Sequence, residues 1–422
     1  MAKSNLQVDP SCMDDFDPGS LPADQAQALI KQTVRAVSGQ ERIAIRAALG
    51  RVLAQDVRSQ FNVPSHTNSA MDGYALAGAT LPPEGTRTYE IVGTAWAGRP
   101  YTDDVGNGQC VRIMTGAAMP NGTDTVVLQE HTDVTGAQAT IDARHQAGQN
   151  VRQAGEDIAT GEIALKAGRR ITAADLGLLA SLGIVEVQVF RKLRVAFFST
   201  GDELRSLGQN LDAGAIYDSN RYTLYGMLTQ LGVETVDLGV VRDQRDDTFN
   251  AFAEAARCAD VVISSGGVSV GEADFVKEAL EKLGEIKFWK VATKPGRPLA
   301  FGQIQDAVLF GLPGNPVSVM VTFYLFVQPA LRQMMGEKQV DPMTYKARCE
   351  SKLRKRPGRT EYQRGVVSRD EQGDLVVHKT GMQGSGILTS MSLANCFIIL
   401  PLEASTIQPG DTVTVLPFSE IQ

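Results

Sequence analysis

Val261-Val262-Ile263-Ser264-Ser265-Gly266-Gly267-Val268-Ser269-Val270-Gly271 is an apolar run that leads straight into a Gly-rich loop. Two more loops of this kind follow: Lys294-Pro295-Gly296-Arg297-Pro298 and Gly311-Leu312-Pro313-Gly314-Asn315-Pro316. Each follows or sits between apolar runs that read as strands, and the first and third lead into helical stretches. Glycine lets backbone N–H groups approach an anion closely, and a helix N-terminus adds partial positive charge. The loops carry no acid, while Lys294 and Arg297 add cations. Together they predict a site for phosphate or another oxyanion; taken singly, each is also a tight turn. The first loop is not a Walker A loop, because Glu272 stands where that motif needs Lys. Adjacent Gly266-Gly267 also departs from the dinucleotide fingerprint.

Working outward, strand, loop and helix alternate over 191–336. Strands are expected at 195–199, 235–240, 261–265, 286–291 and 307–311. Helices are expected at 219–231, 246–257, 274–283 and 317–334. That rhythm is doubly wound α/β, in which ligands sit at the carboxyl ends of the strands. Residues 18–60 with 151–190 read as a helical and linker domain. There Ala26, Ile30, Val34 and Val37 share one face, Leu49, Val52 and Leu53 mark a second helical stretch, and Thr172 is a candidate N-cap. Residues 61–150 read as an inserted β domain, 340–422 as a C-terminal β domain, and 1–17 as a polar, acidic, mobile tail.

The 422 residues are enough for several domains, and 43% hydrophobic residues support substantial cores. A net charge of −7 argues against nucleic acid as a partner. The basic run Lys352-Leu353-Arg354-Lys355-Arg356 with Arg359 and Arg364 offers local positive charge, or else a solvated strand edge. Five scattered cysteines without CxxC, and four histidines without ligand spacing, argue against structural zinc and a disulfide framework. No apolar h-region opens the chain and no run reaches membrane-span length, so no membrane partner and a cytoplasmic location are expected.

Acidic residues cluster at the predicted strand ends: Asp202 and Glu203 after the first strand, Asp243 after the second, Glu272 and Asp274 after the third. Carboxylates on the rim of a phosphate site point to a hard cation, most often Mg²⁺. Helix capping is the other reading for Asp202 and Asp274. Asn68-Ser69-Ala70-Met71-Asp72-Gly73-Tyr74-Ala75 reads alone as a hairpin turn, and the stretch 148–158 alone as a charged interdomain turn.

Seven segments, 68–75, 112–116, 150–158, 199–204, 265–274, 294–298 and 311–318, together resemble the molybdopterin molybdenumtransferase family, which includes the E domain of gephyrin. The resemblance runs from about Asp17 to Pro417, with the motifs in the family's order. It implies insertion of molybdate into adenylylated molybdopterin, with Mg²⁺-dependent release of AMP. It also implies an elongated homodimer whose active site draws on the inserted-domain side of the partner. A molybdopterin adenylyltransferase and acceptor molybdoenzymes are the further partners it suggests. Carried over by motif, the catalytic set is Asp72, Thr115, Asp157, Glu203, Lys290 and Lys294, with Asp243 and Asp274 for Mg²⁺. Substrate binding falls to Ser265, Gly266, Gly267, Ser269, Arg297, Pro298, Pro313, Gly314, Asn315, Pro316 and Ser318. Arg364 and Ser385 match positions that look like molybdate ligands. The family more often has Lys where Arg297 stands, and a planar fork differs from a point charge.

Three other functions compete. Adenylylation of molybdopterin belongs to smaller proteins without segment 68–75. Scaffolding, which gephyrin's E domain also performs, goes with a fused domain and linker that this chain does not carry. A generic Mg²⁺-dependent phosphatase would act without molybdate.

Overall fold

The computed structural model describes residues 19–267 and 275–418. The expected tail, together with Ser269, Glu272 and Asp274, lies outside the described residues. The chain divides into two compact units. One comprises described residues within Met1–Glu41, Gly50–Val52 and Val189–Gln422; the other comprises Arg42–Leu49 and Leu53–Gln188.

In the first unit a six-stranded sheet has the order Glu234–Val241, Arg194–Thr200, Val261–Ser265, Ala307–Leu312, Pro298–Ile304, Gly284–Lys290. The first four strands are parallel and the last two are added antiparallel. Successive residues of a strand face opposite layers. Val195 and Phe197 pack with Leu224 and Leu228 of helix Ser219–Leu231 and with Val317 and Val321. Ala196 and Phe198 pack with Phe252 of helix Arg245–Cys258 and Leu280 of helix Phe275–Leu283. Both faces are therefore covered, as the alternation predicted. Phe197 and Phe198 are fully buried, which contributes about 1.5–3 kcal/mol each by apolar transfer.

The long helix expected at 317–334 runs from 316 to 334 with a π segment, Phe323–Val327, at its centre. Its cause is Pro329, which has no N–H to give the carbonyl of Leu325 four residues back. The side-chain amide of Gln27 donates to that carbonyl instead, at 3.1 Å.

At the C-terminus, Thr360–Arg369, Leu375–Lys379, Tyr345–Cys349, Thr412–Pro417 and Cys396–Leu400 pair in that order. The last then pairs back with the first, which closes a five-stranded barrel. The two-residue strand Thr293–Lys294 joins it in parallel, with Lys294 opposite Glu361. The second Gly-rich loop is thus stitched by its main chain to the C-terminal barrel.

The second unit contains the expected inserted sheet, ordered Thr125–Leu128, Gly73–Leu76, Gln109–Ile113, Thr86–Ala95, Gln138–Asp142, Asp133–Thr135. Gly73 opens a strand paired on both sides, so Asp72-Gly73 is not a hairpin turn. Thr172 caps helix Ala173–Ser181 in a reciprocal capping box with Asp175. The expected second helical stretch near Leu49 is corrected. Gly50 adopts φ +73°, a left-handed conformation that halts a helix, and Leu49 is left exposed while Val52 and Leu53 are buried.

Candidate functional site

The three Gly-rich loops converge at the carboxyl ends of the parallel strands around a cleft of about 1120 Å³. Ser265, Gly266 and Gly267 come from the first loop, and Lys294, Arg297 and Pro298 from the second. Pro313, Gly314, Asn315, Pro316 and Ser318 come from the third. Ser385 and Arg359 line it from the C-terminal barrel region, and Glu203 and Asp243 line it after the two strands at the end of the sheet away from Gly284–Lys290.

Local geometry accounts for the sequence. Gly266 and Gly267 hold φ of +92° and +68°, and a Cβ on Gly266 would strike the carbonyl oxygen of Thr200. Only glycine lets the chain turn there. Asn220, which the sequence did not single out as a site residue, ties the first and third loops together. Its amide donates to Ser265 Oγ at 2.9 Å and to the Gly314 carbonyl at 2.7 Å. Asp218 caps the helix behind them and accepts from Ser199 Oγ at 3.0 Å. Among the described residues, Asn220 Oδ1 and Thr200 Oγ1 are buried without hydrogen-bond partners, and both residues line the cleft. Orphaned polar atoms of this kind fit a site that a polar ligand completes.

The cationic side is held firmly. Lys294 Nζ lies 3.2 Å from Glu361 Oε1. Lys355 is buried and donates to the carbonyls of Arg356 and Arg359 at 2.7 Å each, which fixes the turn carrying Arg359. Arg364 does not line the cleft. It is 1% exposed, and its guanidinium donates to the Gly384 carbonyl and Ser390 Oγ, both at 3.0 Å. Burial pushes its pKa down to about 10. Its place is behind the loop that presents Ser385, where it shapes the wall and does not reach the cleft surface. Lys290, half-buried at the end of its strand, also lies outside the lining.

The anionic side carries a concentration of like charge. The backbone N–H of Asp243 donates to Asp202 Oδ1 at 3.2 Å, so Asp202 supports the rim and caps no helix. Burial, then the charges of Asp202 and Glu203, push the Asp243 carboxyl above its ordinary 3.8. Among the described residues no three His, Cys, Asp or Glu side chains form a ready-made metal cage.

Asp72, Thr115 and Asp157 belong to the second unit, where their three motifs interlock. Ser69 N donates to the Ala117 carbonyl at 3.0 Å and Gly116 N to the Ser69 carbonyl at 2.8 Å. Ala70 N donates to the Asn150 carbonyl at 2.9 Å, and Val151 pairs with Ser69. Thr115 binds Asp72 twice, through its N–H and its hydroxyl. Asp157 is exposed and donates its N–H to the Val63 carbonyl.

Fold and cleft define a multidomain α/β protein with a large polar cleft at the carboxyl ends of its parallel strands. Three family models match along it: MoeA N-terminal region (domain I and II) over 21–183, probable molybdopterin binding domain over 196–333, and MoeA C-terminal region (domain IV) over 346–418. A molybdopterin molybdenumtransferase of Haemophilus influenzae is 42% identical over 95% of this chain and 99% of its own. Gephyrin of Dictyostelium discoideum is 32% identical over 94% of this chain and 62% of its own. The solved molybdopterin biosynthesis moeA protein of Pyrococcus horikoshii superposes with a TM-score of 0.83 at 26% identity, covering 94% of this chain and 100% of that one. The chain belongs to the molybdopterin molybdenumtransferase family.

Proposed function

We propose that the protein inserts molybdate into adenylylated molybdopterin and releases AMP, the metal-insertion step of molybdenum cofactor biosynthesis. The observation that carries this is the polarity of the cleft. Lys294 and Arg297 follow the strand at one edge of the sheet, Glu203 and Asp243 follow the two strands at its other end, and Arg359 and the glycine-loop backbone line the same cleft. Molybdate is a tetrahedral dianion and the adenylylated pterin carries a pyrophosphate, so both substrates need such donors. In this reading Ser318 and Ser385 offer hydroxyls, and the loop amides orient the pterin phosphate.

The residues suit Mg²⁺. Crowding at Asp243 is what a cation relieves, and Mg²⁺ commonly takes only one or two protein carboxylates, completing its shell with water and phosphate. Asp243 would hold it, with Glu203 and Asp202 alongside and Asp274 as the remaining candidate. When bound it supplies charge neutralisation on the phosphate. Lys294 holds the phosphoryl oxygens in place as AMP departs. Asp72, Thr115 and Asp157 complete the site from a second copy in a homodimer, and the protein works in the cytoplasm.

The deciding assay follows AMP release from adenylylated molybdopterin and Mg²⁺, with and without molybdate. Molybdate-dependent release, with metal recovered in the pterin product, supports the reading. Release regardless of molybdate makes the protein a hydrolase on this fold.

A further inference from the structure

We infer that Glu361, a buried carboxylate of the C-terminal barrel, is the positioning residue that aims Lys294 into the cleft. The inference rests on the reading of the cleft proposed above. Lys294 and Glu361 are partners in a parallel strand pair, so their side chains rise from the same face of the sheet. The carboxylate is the fixed half. Its side chain is 6% exposed against 39% for Lys294. Its Oε2 accepts from the amide of Gln363 at 3.2 Å, and that amide also donates to the Arg354 carbonyl at 3.1 Å. The Glu361 main chain is held on its other side by pairing with Leu400.

A lysine on an open surface samples many rotamers, and a fixed carboxylate 3.2 Å from Nζ removes most of them. The ammonium has three donors. Glu361 takes one, which leaves two directed at a bound oxyanion. Burial holds the Lys355 ammonium below its usual range, and the negative charge of Glu361 works against that. The α/β domain thus supplies the working cation and the barrel supplies its aim.

The experiment is a double-mutant cycle on AMP release with Mg²⁺ and molybdate. Glu361→Gln is expected to lower kcat roughly tenfold to a hundredfold, as misplacement by about an ångström does, with KM changed less than about twofold. In a Lys294→Ala background Glu361→Gln should add less than about threefold, because its main route into the cleft is already gone. Glu361→Asp, which keeps the charge on a shorter stem, should recover part of the rate; it also serves if the Gln variant fails to fold. A further tenfold loss in the Lys294→Ala background, or wild-type kcat in a folded Glu361→Gln protein, overturns the inference. Undiminished activity in Lys294→Ala alone overturns the role of Lys294 in the proposed function, a separate result.

Discussion

Thr115 donates both its backbone N–H and its hydroxyl to one oxygen of Asp72, each at 2.7 Å. The pair joins two segments more than forty positions apart in sequence, one opening strand Gly73–Leu76 and one following strand Gln109–Ile113. The hydroxyl contact, then the backbone contact, hold the Asp72 carboxyl below its ordinary 3.8. A depressed carboxylate contributes stability that is present above the unfolded value and lost as pH falls through the folded one. Thr115→Val keeps the shape and removes the stronger contact. Titration by carbonyl NMR should then show the Asp72 pKa rising toward 3.8; an unchanged value would mean the backbone donor alone sets it. If Asp72 serves the reaction, Asp72→Ala should lower turnover at least about tenfold with the circular dichroism spectrum unchanged.

Arg364 offers a different kind of effect. Its guanidinium satisfies the Gly384 carbonyl and Ser390 Oγ, and its main-chain N–H takes Gln383 Oε1 at 2.7 Å. Arg364→Lys keeps a charge but cannot span both acceptors. A cost of about 1–3 kcal/mol is expected, the usual range when buried hydrogen-bond partners are left unmet. Urea melts would measure it. Because the loop carrying Ser385 loosens as well, molybdate KM should rise; an unchanged KM with lowered stability would confine Arg364 to the barrel.

The α/β rhythm was legible because continuous apolar runs, such as Val195 to Phe198, end at loops rich in glycine, and both signals are local. The cleft lining was legible where glycine and proline mark a loop, as in Lys294–Pro298 and Gly311–Pro316. What escaped depends on long-range partners. Arg364 reads as a surface cation in a basic run, yet the barrel closes over it. Asn220 looks like any residue in the first turn of a helix, yet it bridges two loops 45 and 94 positions away. Lys294 signals an anion site, but nothing local announces that its aim comes from Glu361. Near Leu49 the apolar spacing suggested a helix, and a single left-handed Gly50 overrides it.

Gly266 tests the loop geometry directly. At φ +92° an L-residue is strained by about 1–3 kcal/mol, and the added Cβ also meets the Thr200 carbonyl. Backbone on backbone cannot relax by a rotamer change. Gly266→Ala is therefore expected to lower the melting temperature and to abolish pterin binding, measured by fluorescence quenching. Gly314→Ala is the contrast, because its Cβ would meet only Gly266 Cα at 3.9 Å. It should leave stability near wild type.

Asp243 sets stability against function. Its folded pKa is raised, which is the reverse of Asp72. Below the ordinary 3.8 the group is protonated in both states and carries no penalty. The penalty develops as pH rises through the folded value and is complete above it, since the unfolded chain ionises more readily. Asp243→Asn removes the charge that Asp202 and Glu203 oppose. At neutral pH the variant should melt at the wild-type temperature or slightly above, and below pH 3.8 the two should converge. Mg²⁺ should raise the wild-type melting temperature by mass action and leave the variant unmoved. AMP release should fall with it. If Asp243→Asn instead destabilises at neutral pH, the carboxylate is structural. If Mg²⁺ stabilises both proteins equally, the cation sits on other ligands, and Asp274 becomes the residue to change next.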